Sequence, residues 1–145
     1  IAYFDTLIGS FVALVFFLPL LIASGGNAGA QSATLVIRGM ALGELTLKDF
    51  MKVLWREIVV SLSLGLSMSA AVFFLAWWRG GLRIGVVAAI SMTLIVVCGS
   101  LIGMTLPFIL RKLKIDPAVA SNPLVTSLAD ILGVFIYLGI ASALL

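Results

Sequence analysis

Histidine is absent from the 145 residues, and cysteine occurs once, at Cys98. Those shortages remove zinc and most transition-metal sites, which need imidazole or thiolate ligands. They also exclude a serine–histidine mechanism. A lone thiol inside an apolar run cannot form a disulfide within the chain and reads as a small packing residue. Charge is scarce as well: 10% of residues are charged and 63% are hydrophobic, with a mean hydropathy of +1.29. No soluble domain of this length hides so much apolar surface in one core, so the chain reads as an integral membrane protein. Its net charge of +3 comes from loop arginines and lysines. No basic surface interleaved with aromatics is present, so a nucleic-acid partner is not implied. The first residue is Ile1, and no signal peptide precedes the first apolar run. The expectation is therefore a fragment of a longer chain.

No charge occurs from Thr6 to Ile37. As one straight helix that run would be about 48 Å long, beyond a hydrocarbon core of about 30 Å. It is expected to bend, tilt or break, at Pro19 or in the cluster Gly25-Gly26-Asn27-Ala28-Gly29-Ala30-Gln31-Ser32. Pro19 deprives the Val15 carbonyl of its helical donor. Small residues allow close helix packing. Asn27 and Gln31, four apart, put two amides on one face, which is costly in lipid and useful beside a hydrated path.

Charge returns at Arg38 and persists through Lys48, Asp49, Lys52, Arg56 and Glu57, while Leu47, Phe50, Met51 and Leu54 recur at helical spacing. This segment is expected to be an amphipathic helix lying along the membrane surface, its charges on a solvated face and Thr46 as its cap. Residues 58–78 are long enough to span, and Ser61, Gly65 and Ser69 repeat every four residues as a close-packing seam. Trp77 and Trp78 mark an interface. Arg79-Gly80-Gly81-Leu82-Arg83 reads as a tight turn between antiparallel spans. Residues 84–110 form another uncharged run with a Gly99-x-x-x-Gly103 pair, and Pro107 is expected to end or kink it. The fold class is all-α, a polytopic membrane bundle of four spanning helices plus the interfacial helix. Basic residues are concentrated in 38–56 and 111–114, which places those segments in the cytoplasm and both chain ends outside.

The last segment carries Asp130 within an uncharged span. A carboxylate at that depth costs roughly 2.5–3.5 kcal/mol on insertion scales and marks function by default. Asn122, Thr126 and Asp130 stand at i, i+4 and i+8, so on a helix they climb roughly 6 Å per step and drift about 40°. Such a ladder of hard oxygen ligands suits a hard cation. Each residue also has a structural reading. Asn122 before Pro123 looks like a helix cap followed by proline. Thr126 can bond its own backbone, and Asp130 can serve as a helix–helix polar contact or a proton relay. Pro123 should leave the Val119 carbonyl free beside Asn122. Two other functions are set against an ion pathway. A proton- or sodium-coupled secondary transporter could use Asp130 as its coupling site. An intramembrane aspartyl protease needs two carboxylates, and only Asp130 lies within a span.

The block Pro19, Gly25 to Ser32 and Arg38-Gly39, taken with the segment from Asp116-Pro117 to Asp130, resembles the second and fifth membrane helices of the MgtE family of magnesium channels and transporters. The resemblance covers the whole chain. It implies a homodimer in a plasma membrane, with Mg2+ passing along the two-fold axis between the second and fifth helices. It implies that the metal ligands are Asp130, Thr126 and Asn122. The pore-lining candidates are Asn27, Gln31, Gly26, Gly29 and Pro19. It further implies that residues 1–145 are the transmembrane ion-conducting domain, that a first helix and a cytoplasmic regulatory region lie upstream, and that the protein is not an enzyme.

Overall fold

The computed structural model describes residues 12–145. Positions 6–11 of the first uncharged run, and the expected placement of the N-terminus, lie outside the described residues. Among the described residues there are helices and no strands. Helix α1 is Ala13–Ala41. A helical stretch Phe50–Lys112 follows, interrupted at Gly81, where φ is +83° and ψ 175°. That backbone conformation is open to glycine and closed to side-chain-bearing residues, so the stretch is two helices, α2 (50–80) and α3 (82–112). Helix α4 is Asn122–Leu144.

α2 and α3 fold back on each other. Gly65 lies against Thr93, and Gly85 against Phe73 and Trp77, so each step along one helix is matched by a step back along the other. The expected turn over 79–83 is where the chain reverses. Ser61, Gly65 and Ser69 are all buried, and a Cβ at Gly65 would stand 3.1 Å from the Thr93 Cα. α1 runs parallel to α3 and antiparallel to α4. Gly25 and Gly29 meet Gly99 and Gly103 in order, while Tyr137 at the far end of α4 donates from its buried hydroxyl to the Leu14 carbonyl at 3.0 Å. The result is an up-down-up-down bundle.

Three expectations are corrected in whole or in part. Of the expected bend, tilt or break, the break does not occur: α1 is one continuous helix of 29 residues with Pro19 inside it, about 44 Å long. Pro19 lies on the exposed side, where its lost hydrogen bond opens no gap in the packing. α3 likewise continues past the buried Pro107 to Lys112. The separate interfacial helix is also not a distinct element. α1 runs to Ala41, the chain turns through Gly43 (φ +74°), and a 3-10 turn at Leu47–Asp49 leads straight into α2. Asp49 Oδ2 accepts from both the Thr46 backbone N–H and its hydroxyl, each at 2.8 Å. Those bonds hold the Asp49 carboxyl below the usual carboxylate range and start a helix that nothing breaks before Gly81. The amphipathic residues from Phe50 onward are therefore the first turns of α2.

Apolar packing falls into two clusters. One joins Leu14, Phe17 and Leu21 to Val72, Ile84, Met92, Ile95 and Tyr137. The other joins Val36 and Met40 to Val53, Met104 and Phe108 at the opposite end, where Phe50 and Phe108 meet edge to face at 5.2 Å. Arg111 Nη1 donates to the Met40 and Leu45 carbonyls at 3.4 and 3.3 Å, so the basic end of α3 sits beside the α1–α2 turn. Between the clusters lies a belt of small and polar residues: Gly25, Gly26, Gly29, Ser32, Glu57, Ser61, Gly99, Ser100 and Gly103. Polar groups in such a belt are tolerable only if satisfied. Among the described residues Ser91 Oγ is the one buried side-chain nitrogen or oxygen without a partner. Ser91→Ala is accordingly expected to stabilise the protein by about 1 kcal/mol. The check is the thermal midpoint in detergent, and a lowered midpoint would show that the hydroxyl has a partner.

Candidate ion-binding site

The α4 ladder forms where the chain can start a helix cleanly. The Asp116 carboxylate accepts from the Ala118 N–H at 2.9 Å, and a 3-10 turn at Pro117–Val119 leads to Ser121, whose extended backbone precedes α4. Ser121, not Asn122, holds the cap position, and Asn122 and Pro123 are the first two helical residues. The Val119 carbonyl is not left free beside Asn122 as expected. The Ser121 N–H bonds it at 2.7 Å, because the turn at Ala120 (φ −70°, ψ 54°) folds back within three residues.

Asn122, Thr126 and Asp130 then share one face of α4, and that face meets α1. Asn122 Oδ1 lies 3.3 Å from the Thr34 hydroxyl, which itself donates to the Ala30 carbonyl at 2.8 Å. Two turns along, a Cβ placed on Gly26 would stand 2.8 Å from Asp130 Oδ1 and 3.6 Å from the Thr126 Cβ. Asp130 therefore rests on bare α1 backbone, in space that exists because position 26 carries no side chain. Thr126 donates its proton to the Asn122 and Pro123 carbonyls at 2.9 and 3.1 Å, which leaves its oxygen lone pairs unspent. Asn122 is exposed, and Thr126 and Asp130 are half-buried. The ladder is thus an open edge between α1 and α4, not an interior cage.

The α1 candidates divide by face. Gly26 meets α4, and Gly29 packs against α3, its own Cβ position 2.7 Å from the Gly99 carbonyl oxygen. Pro19, Asn27 and Gln31 lie at exposed positions of α1, outside the packed seam, and Gln31 borders a cavity shared with Ser32 and Glu57, not the ladder. Among the described residues no group of three His, Cys, Asp or Glu side chains comes together. The described residues of one chain offer no multi-carboxylate cage.

Glu57 was missed by sequence reasoning. It was expected on a solvated face, yet it is 8% exposed and accepts a short hydrogen bond from Ser32 Oγ. The signal was there: Glu57 precedes Ser61, Gly65 and Ser69 at the same spacing of four and so belongs to the inward seam. Its neighbour Arg56 turns about 100° away, to the outside.

Among the described residues α1, the helical stretch 47–112 that holds α2 and α3, and α4 are each long and apolar enough to cross a membrane, which makes this a multi-pass helical membrane protein. A family model described as "MgtE: Divalent cation transporter" matches residues 18–140, and the chain belongs to that family. It is 43% identical over 142 residues to the magnesium transporter MgtE of Thermus thermophilus, covering 98% of this chain and 32% of the relative. The corresponding protein of Bacillus subtilis is 40% identical over 144 residues (99% and 32%), and that of Enterococcus faecalis 30% over 143 (98% and 32%). The chain thus spans about a third of the length of these curated relatives.

Proposed function

We propose that the chain is the transmembrane part of a magnesium transporter. Two copies are proposed to enclose a channel-like path at their two-fold axis, with hydrated Mg2+ held by Asp130 and the oxygens of Thr126 and Asn122. The observation that carries this reading is the seating of Asp130 on Gly26 at a half-exposed helix edge. Magnesium dehydrates reluctantly and is usually held with several waters in place, which suits an open ladder better than a dry cage. One Asp130 supplies one negative charge, and a symmetric pair supplies two against the ion's two. Release also stays possible, as conduction requires. The names of the relatives, all magnesium transporters, support magnesium as the cargo.

In this reading α1, α2, α3 and α4 each cross the bilayer. α2 and α3 exceed about 30 Å and so tilt or protrude, the first turns of α2 lying at the interface. The end carrying Arg38, Lys48, Lys52, Arg56, Arg111 and Lys112 faces the cytoplasm, and the end with Trp77, Trp78 and the chain's C-terminus faces outward. Asn27 is assigned to the flank of the path on α1. A cytoplasmic regulatory region is assigned to the longer parent chain, upstream.

Cysteine accessibility tests the path. In a Cys98→Ala background, Asn122→Cys and Thr126→Cys are expected to react with a charged thiol reagent, to lose transport on reaction, and to be protected by excess Mg2+. Failure to react from either side of the membrane would remove the ladder from any aqueous route.

A further inference from the structure

The buried carboxylate of Glu57 has no ion-pair partner among the described residues. It stands two turns inside α2, 8% exposed, and faces a cavity of about 260 Å³ shared by three helices. The lining oxygens are Gln31 and Ser32 of α1, Ser61 of α2 and Ser100 of α3. Ser32, Ser61 and Ser100 are themselves nine-tenths or more buried. Ser32 donates to Glu57, whereas Ser61 makes only a long bond, 3.3 Å, to the Ile58 carbonyl. α1 and α3 bring no charged side chain to the cavity. The one charged neighbour in its wall is Arg56, which is exposed and lies at the rim.

A carboxylate buried in the wall of a cavity carries its charge at far lower cost with a cation beside it. We infer that the cavity bounded by Glu57, Ser32, Ser61, Ser100 and Gln31 binds an alkali-metal cation, as a second site within a single chain. The charge count selects a singly charged ion. Glu57 balances one positive charge, and Arg56 at the rim adds to the burden of a divalent ion. The donors are carboxylate, hydroxyl and amide oxygens, which suit a hard cation. At about 30 Å³ per water the cavity has room for the ion with part of its hydration shell. The site does not involve Asp130. Ser32 and Gly26, which seats Asp130, stand six residues apart on α1, about 9 Å along its axis.

The test is the thermal midpoint of the full-length protein in detergent near neutral pH, with sodium chloride replacing choline chloride at constant ionic strength. Raising sodium to about 150 mM is expected to lift the wild-type midpoint by about 3–5 °C. The same rise is expected in Asp130→Asn, so this inference and the magnesium reading fail separately. Glu57→Gln should give no rise. Ser100→Ala, which keeps the carboxylate and removes a buried hydroxyl, should give a smaller rise, and it serves if Glu57→Gln does not fold. A wild-type midpoint indifferent to sodium would overturn the inference. So would a full sodium response in Glu57→Gln or Ser100→Ala, or a stabilisation by Mg2+ that Glu57→Gln alone abolishes.

Discussion

Asp130→Ala and Asp130→Asn are both expected to lower magnesium uptake about 100-fold, a loss of about 2.7 kcal/mol of ion stabilisation. The asparagine variant isolates the charge. It keeps the size of the side chain and its hydrogen-bonding capacity, and it still fits the space over Gly26, where Asp130 Oδ1 stands 2.8 Å from a Cβ position. Only the negative charge goes, and in a dimer it goes twice. Alanine removes the oxygens as well, so the two variants should fail alike if charge is what holds the ion. The measurement is uptake, with rescue of a magnesium-requiring strain, alongside membrane insertion of each variant. Rescue by Asp130→Asn would make the residue a neutral packing contact.

Gly103→Ala is expected to destabilise the bundle by about 3 kcal/mol, at the upper end of what one inserted methyl costs. α1 and α3 run parallel, and a Cβ at Gly103 would collide with the Gly29 carbonyl oxygen, as one at Gly99 would with the Gly25 carbonyl oxygen. Those obstacles are backbone atoms of a continuous helix and cannot rotate aside, unlike the end of a side chain. Relief requires α1 to move off α3. Because α1 carries Gly26 against Asp130, that movement would also disturb the ladder. A fall in thermal midpoint of about 6–10 °C is expected, with reduced transport by the protein that does fold. Gly139→Ala is the control: nothing among the described residues lies within 4 Å of its Cβ position, so its midpoint should stay near wild type.

How much of this was legible depended on whether a feature is local. The polar face of α4 could be read because Asn122, Thr126 and Asp130 obey the helix period, and the reversal near Gly81 because paired glycines between two apolar runs have few other uses. The Ser61–Gly65–Ser69 seam was legible for the same reason. Which helix each seam meets was not. Gly25 and Gly29 pair with Gly99 and Gly103 only through the tertiary fold, and periodicity names a face without naming its partner. The interfacial helix was misread because the charges of 38–57 were taken as one solvated face. In the structure the Thr46–Asp49 hydrogen bonds start α2 there and rotate Glu57 inward. Pro19 and Pro107 were weighted as places where a helix bends or stops, yet both lie inside continuous helices, Pro19 on an exposed face and Pro107 within the packing.

The most direct measurement of Asp130 as the ion-holding residue is magnesium current through the full-length protein in a planar bilayer under a magnesium gradient. Wild type is expected to carry current that reverses at the magnesium equilibrium potential, with no coupled ion required, and Asp130→Asn to carry none while remaining folded. Undiminished magnesium current in folded Asp130→Asn would contradict the assignment.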